Sequence, residues 1–154
     1  MNVAAHTHTA LVHLASGIGN IVLATPLLIA LNHMGFVVDL LIHADYPQTA
    51  DLLRDWSVIR EVYDGRSQNI PPLSPYDWII PAIPPFYWSQ LAHLYTQTSR
   101  TIRRPPDTLF YQDEQAYYLA FAHALGYAAA RRPFYRLAIA PRAGCGVTAR
   151  TLII

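Results

Sequence analysis

No formally charged side chain occurs before Asp39 in this chain of 154 residues. Two apolar segments occupy much of that stretch, a short run at 10–14 and a longer one, apolar nearly all round, at 21–34. A helix that is apolar on every side is buried between other elements, and the near-continuous apolar run that follows at 36–42 is typical of a strand buried on both faces of a parallel sheet. The beginning of the chain therefore predicts a strand and a helix enclosed in a layered core.

Strand and helix patterns continue to alternate further along the chain. Apolar periodicity predicts three more strands, at 36–42, 58–63 and 76–80, and three more helices, at 47–55, 87–98 and 112–125. Alternating strands and helices are typical of βαβ units in a parallel sheet. We therefore predict the α/β class, with a Rossmann-like, doubly wound parallel sheet whose strand at 58–63 lies nearer an edge.

Thr25 and Pro26 interrupt the first predicted helix. Proline removes a backbone donor and clashes with the preceding turn, so we expect either a kink or a restart. In a restart, Thr25 would be the cap and Pro26 the first helical residue. Gly35 is expected to end the helix in the left-handed conformation that favours glycine.

Charge and composition exclude several classes of protein. All 11 basic residues are Arg and the formal net charge is +1, which gives no field that would steer the chain onto nucleic acid. A single Cys, Cys145, excludes a disulfide framework and suits a reducing compartment. The longest run without strongly polar residues, 21–31, is shorter than the ~20 residues of a membrane-spanning helix. These features predict a cytoplasmic protein without a transmembrane segment or a nucleic-acid partner.

The loop at 16–20 is the strongest candidate for a binding site. Ligands of parallel α/β sheets bind outside the carboxyl ends of the strands, where Gly17 and Gly19 would allow a ligand to approach the backbone before a helix begins. Such a loop suits an anionic group, although a tight turn that binds nothing has the same pattern. Val22 replaces the third glycine of a dinucleotide fingerprint, and the Gly-Lys-Ser/Thr of a P-loop is absent.

Few other residues offer chemistry. His43 and Asp45 follow a buried strand and form a candidate acid/base pair, with a loop cap formed by Asp45 as the alternative. The remaining histidines lack the spacing of a metal site, so no metal is predicted. The aromatic stretch 78–88 is either a wall facing a sugar or lipid or a packed segment, and we favour packing.

Two segments carry a resemblance to a known family. The sequence Ser-Gly-Ile-Gly-Asn at 16–20, followed by Thr-Pro-Leu-Leu at 25–28, resembles the N-terminal signature of the ADP-heptose:lipopolysaccharide heptosyltransferase-like glycosyltransferases, glycosyltransferase family 9. The similarity covers about residues 10–80. It implies that the substrate-binding residues are Ser16, Gly17, Ile18, Gly19 and Thr25.

The resemblance implies one lobe of a GT-B fold. In that architecture an N-terminal Rossmann-like lobe holds the acceptor, a C-terminal lobe holds the nucleotide-sugar donor, and inversion needs neither a metal nor a cofactor. Many members have an Asp as general base directly after the second glycine, where this chain has Asn20. An amide cannot accept a proton at neutral pH. Asn20 would therefore orient the acceptor, and Asp45 or His43 would be the catalytic base.

The expected domain organisation follows from the same resemblance. Residues 1–130 would form the acceptor-side lobe, and residues 131–154 an interdomain linker with the first strand of a missing donor lobe. The expected function is the acceptor-binding half of an inverting, metal-independent transferase of cell-envelope glycan or lipopolysaccharide synthesis, inactive by itself.

Its expected partners are a glycan or glycolipid acceptor, a nucleotide-sugar through the missing lobe, and the inner membrane, which it would contact peripherally. Two alternatives remain open. One is a stand-alone Rossmann-like module for a nucleotide or phosphorylated metabolite, and the other is a non-catalytic assembly partner.

Overall fold

The computed structural model describes residues 7–44, 48–67, 70–95, 100–129, 137–138 and 151–152. Its strands are β1 (Thr9–Ser16), β2 (Val37–Ala44), β3 (Ile59–Asp64), β4 (Trp78–Ala82), β5 (Leu137–Ala138) and β6 (Thr151–Leu152). Its α-helices are α1 (Ile18–Leu23), α2 (Thr25–His33), α3 (Gln48–Arg54), α4 (Pro85–Leu91), α5 (Asp107–Gln112) and α6 (Glu114–Ala124), and a 3-10 helix spans Ala92–Tyr95.

The first four strands form one parallel sheet in the order β3-β2-β1-β4. This arrangement confirms the predicted α/β class with a Rossmann-like parallel sheet. The chain winds from β1 outward to β3 and then returns to the other side of β1 for β4. The order of strands therefore reverses between β1 and β4, which makes their carboxyl ends the topological switch point where ligands of such sheets bind.

Both faces of the sheet are covered, as the apolar run at 36–42 predicts. Val12 and Leu14 point to a large core shared with α1, α2, α3, α5 and α6. Leu11 and Ala15 point to a second core, which α4 and the 3-10 helix cover and which contains Tyr95. Successive side chains of a strand alternate between faces, so one strand contributes to both cores.

The break at Pro26 is a restart rather than a kink. Helix α1 ends at Leu23, Ala24 is the N-cap of α2, and Pro26 lies in the first turn, where its missing N–H costs nothing. Thr25 is not the cap, because its hydroxyl donates to the carbonyl of Val22 at 2.6 Å. Gly35 has a φ of 82°, as the left-handed helix end requires.

The second half of the chain differs more from the sequence patterns. Strand β4 lies two residues later than predicted because Pro81 is part of it, which a strand with a free edge tolerates. Helix α5, which precedes α6, was not predicted. Asp113, between the two helices, accepts a hydrogen bond from the backbone N–H of Ala116 at 2.9 Å and caps α6.

The end of the chain contains a second, two-stranded sheet in which β5 and β6 pair antiparallel. Its second strand is the two-residue segment Thr151–Leu152. Most of the predicted linker over 131–154 lies outside the described residues. Within the part of the chain that the structure describes, none of the helices has the length and apolar character needed to cross a membrane.

Candidate functional site

The predicted binding loop lies at the switch point of the sheet. Strand β1 ends at Ser16, Gly17 forms the turn, and Ile18, 53% exposed, begins α1. A Cβ atom added to Gly19 would meet no atom within 4 Å, so the backbone there borders open space. The loop is thus open to solvent at the end of the central strand, as a binding loop requires.

Helix α6 contacts the segments that follow the neighbouring strands β1 and β4. The hydroxyl of Tyr117 donates to the carbonyl of Ile83, directly after β4, at 3.0 Å. One turn earlier, at the start of α6, Glu114 accepts a hydrogen bond from Nδ2 of Asn20 in α1 at 2.5 Å. Residues 20 and 114 are 94 positions apart, yet the fold places a carboxylate beside the loop after β1.

Glu114 is held by two donors on one oxygen. Oε1 accepts from Asn20 and also from the hydroxyl of Tyr118 at 3.2 Å. Burial, reinforced by the nearby Glu114 carboxylate, raises the pKa of Tyr118 far above its usual value, so its hydroxyl keeps its proton and donates. Among the described residues the second oxygen, Oε2, has no hydrogen-bond partner, and the side chain of Glu114 is only partly buried.

Thr25 does not face the loop. It is fully buried, and its hydroxyl is bonded to the carbonyl of Val22 inside the junction of α1 and α2. The resemblance implies a substrate-binding role for Thr25, whereas its observed contacts join two helices. Asp45 lies outside the described residues, and of Ser16 the structure describes only the backbone, at the end of β1.

His43 belongs to a polar chain on the other face of the sheet. Nδ1 of His43 lies 2.6 Å from Nε2 of His13, and Nδ1 of His13 is hydrogen-bonded to the hydroxyl of Tyr95. His43 also has a backbone hydrogen bond with Gly65, directly after β3. This series of hydrogen bonds therefore runs from the buried Tyr95 to the carboxyl edge of the sheet.

Burial keeps both histidines neutral. It lowers the pKa of His13 to about 3, with a smaller contribution from His43. Burial also lowers the pKa of His43, although hydrogen bonding with Gly65 and the charge of Asp64 oppose the shift. A consistent set of tautomers has Tyr95 donating to His13 and His13 to His43, which then donates to Gly65.

A second polar group lies at the other end of β2. The buried carboxylate of Asp39 accepts from Arg60 at 2.9 and 2.5 Å and from the hydroxyl of Tyr76 at 2.7 Å. Asp39 precedes His43 by four positions and lies in the amino-terminal half of its strand. Its location, away from the carboxyl edge, and its complete pairing indicate a structural role in joining β2 to β3.

The aromatic segment is mainly packed, as favoured from the sequence. Trp88 stacks on Tyr95 with ring centroids 5.8 Å apart and an angle of 13°, and the guanidinium of Arg104 lies 4.5 Å from the Trp88 ring centroid. Phe86 is the exception at 51% exposed, although its ring still lies 5.9 Å from Phe110. No group of three His, Cys, Asp or Glu residues suited to a metal ion occurs in the described part of the chain.

The sequence patterns located the loop and His43 but missed Glu114 and the partners of His43. Glu114 was visible only as an acid in the first turn of a predicted helix, which by itself indicates helix stabilisation. His13 and Tyr95 are separated by 82 positions, so nothing local connects them. Comparison of the chain with protein families, curated proteins and solved structures finds no match.

Proposed function

We propose that this chain is the acceptor-binding, N-terminal lobe of an inverting, metal-independent glycosyltransferase of the heptosyltransferase-like family, acting in cell-envelope glycan synthesis. The observation that carries the proposal is the position of Asn20. The residue that stands where the family has its catalytic Asp lies at the switch point of a parallel sheet, beside an open loop and next to a carboxylate. The resemblance in the loop and this geometry support the same site.

In this proposal the chain binds the acceptor and directs one hydroxyl towards the donor sugar. Inversion requires that hydroxyl to lose its proton as it attacks the anomeric carbon. Asn20 orients the acceptor, and the base is His43 or Asp45. Burial lowers the pKa of His43 and keeps it neutral at pH 7, but it could accept the proton only by giving up the hydrogen bond that its Nδ1 accepts from His13. The donor, a nucleotide-sugar, would bind to a second lobe.

The alternative, a stand-alone module for a nucleotide or phosphorylated metabolite, rests on the same glycine loop. Two observations make it the weaker candidate. Helix α1 has only six residues, so its dipole attracts an anion only weakly. The carboxylate of Glu114 lies beside the first turn of that helix and would repel a phosphate.

Calorimetric titration of the purified chain separates the two proposals. The titrants are oligosaccharides of the lipopolysaccharide inner core on one side and ADP, GDP and UDP on the other. We expect binding of at least one oligosaccharide and no measurable binding of the nucleotides. Tight binding of a nucleotide without binding of any oligosaccharide would refute the acceptor-lobe proposal and support the alternative.

Peripheral contact with a membrane also belongs to the proposal, since the acceptor would be a glycolipid. Two large apolar side chains support it, Ile18 after β1 and Phe86 after β4, because both are about half exposed at the carboxyl edge of the sheet. Apolar side chains at the entrance of a site would contact the lipid part of such an acceptor.

A further inference from the structure

We propose that the carboxylate of Glu114 binds a hydroxyl group of a neutral sugar at the loop after β1 and excludes phosphate groups from that loop. This inference rests on the proposed function, because it specifies what the acceptor site accepts. Glu114, which no sequence motif singles out, would then determine that the site binds a neutral rather than an anionic ligand.

The two carboxylate oxygens of Glu114 differ in their hydrogen bonds. Asn20 and Tyr118 both donate to Oε1 and fix the direction of the side chain. Oε2 keeps its capacity to accept hydrogen bonds, and Glu114 is partly exposed at the sheet edge where ligands bind. A carboxylate held in this way forms a strong, charge-assisted bond with a hydroxyl donor.

Glu114 also gives the site a negative charge. Glu114 forms no ion pair with any residue that the structure describes, so none of these residues neutralises its negative charge. Asn20, at 2.5 Å, contributes a dipole but no charge. An approaching phosphate would therefore meet a like charge at this loop.

Together these observations define the class of ligand. A sugar ring carries several hydroxyl groups and no charge, so it can donate to Oε2 while other hydroxyls contact the exposed backbone at Gly19. A phosphate ester offers only acceptor oxygens in its dianionic form. The site therefore suits an unphosphorylated, polyhydroxylated ring.

The test compares two variants of the full chain, Glu114→Gln and the control Glu61→Gln. Glu61 lies on β3, is exposed, and among the residues that the structure describes accepts a hydrogen bond only from the backbone N–H of Val62. Binding is followed by amide chemical shifts of residues 17–21 in NMR titrations with methyl glycosides of hexoses and heptoses and with inorganic phosphate.

For the unmodified chain and for Glu61→Gln we expect at least one glycoside to shift these amides and phosphate to leave them unchanged. For Glu114→Gln we expect glycoside affinity to fall about tenfold or more, since a charge-assisted bond becomes a neutral one. Phosphate is expected to shift these amides more in this variant than in the unmodified chain, because the repelling charge has been removed.

The two proposals fail in different ways. Equal glycoside affinity in Glu114→Gln and the unmodified chain, with phosphate still excluded, would overturn the role of Glu114 and leave the acceptor site standing. Binding of no glycoside by any form would overturn the proposed function and this inference with it. If Glu114→Gln does not fold, Glu114→Asp replaces it. That variant retracts the carboxylate, and unchanged glycoside affinity in it would also refute the inference.

Discussion

The side-chain amide of Asn20 donates a hydrogen bond to Glu114, and a single substitution can reverse this role. In Asn20→Asp the donor becomes an acceptor, and two carboxylates face each other across the 2.5 Å contact. We expect the free energy of unfolding at pH 7 to fall by about 1–3 kcal/mol, because a hydrogen bond is lost and like charges are brought together.

This loss has a characteristic pH dependence. Repulsion raises the pKa of the carboxylate pair above the value that its members have in the unfolded chain, so the destabilisation relative to the unmodified chain shrinks as the pH falls and the pair takes up a proton. Denaturant unfolding at pH 8 and pH 5 measures the difference, with Asn32→Asp on the exposed side of α2 as control. A loss independent of pH would show that the two side chains are not in contact.

Arg60 and Arg54 each pair with an aspartate, but the two pairs differ in burial. Asp39 is 1% exposed, whereas Asp51, the partner of Arg54, is 69% exposed. Arg60→Met leaves the carboxylate of Asp39 buried with Tyr76 as its described partner, and we expect a loss of about 2–4 kcal/mol. Arg54→Met removes a solvated pair and should change stability by less than about 1 kcal/mol.

Thermal and denaturant unfolding of the two methionine variants provide the comparison. Equal losses of stability in Arg60→Met and Arg54→Met would contradict a structural role for the hydrogen bonds of Asp39. The loss of stability in Arg60→Met also shows how much the exposed guanidinium of Arg60 stabilises the buried carboxylate of Asp39.

At the level of elements, β2 and β3 are held together at their carboxyl ends by the contact between His43 and Gly65. A Cβ atom added to Gly65 would lie 2.2 Å from the imidazole of His43, which His13 holds from the other side. We expect Gly65→Ala to destabilise the fold by about 1–3 kcal/mol and to displace His43, because the ring has little room to move.

Gly19→Ala in α1 is the matched control. Its added Cβ atom would meet nothing within 4 Å, and alanine favours helix by about 0.5–1 kcal/mol, so this variant should be slightly stabilised. Denaturant unfolding measures both changes, and the histidine ring resonances report the displacement of His43. An unchanged stability and unchanged ring resonances in Gly65→Ala would contradict the close packing.

The elements themselves were largely predictable, because each depends on a local pattern. The run at 36–42 became β2, and the break at Pro26 became a helix restart. Helix α5 was missed because six residues between Pro106 and Asp113 are too short to show helical periodicity. The pattern at 76–80 predicts that this strand ends before Pro81, although an edge strand can contain a proline.

The candidate site was predictable only in part, because its residues come together through long-range contacts. The loop at 16–20 and His43 are recognisable by their place after buried strands. Glu114 and Tyr95 reach Asn20 and His13 from 94 and 82 positions away, and these contacts depend on how α6 and the 3-10 helix cross the sheet. No local signal specifies that crossing.

At the scale of the whole molecule, the buried histidines couple stability to pH. His13 has a pKa of about 3 in the folded chain and 6.5 as the ordinary value, so below pH 6.5 the unfolded chain binds a proton that the folded chain does not. We expect the free energy of unfolding to fall by about 1.4 kcal/mol per pH unit between pH 6 and pH 4. His43 contributes in the same direction.

Urea unfolding at half-unit intervals of pH gives this slope. His33→Gln, which alters an exposed residue of α2, should keep it. His13→Gln should flatten the slope, because the group that remains neutral in the fold has been removed. A stability that does not change between pH 6 and pH 4 would contradict the burial of His13 in the second core.

A crystal structure of the chain bound to an acceptor oligosaccharide would show where the acceptor lies relative to the sheet. We expect the sugar outside the carboxyl ends of β1 and β4, against the backbone at Gly19, with one hydroxyl within hydrogen-bonding distance of Glu114 and no phosphate in contact with the loop. An oligosaccharide bound at the amino ends of the strands, or a nucleotide phosphate seated on the loop after β1, would contradict the account.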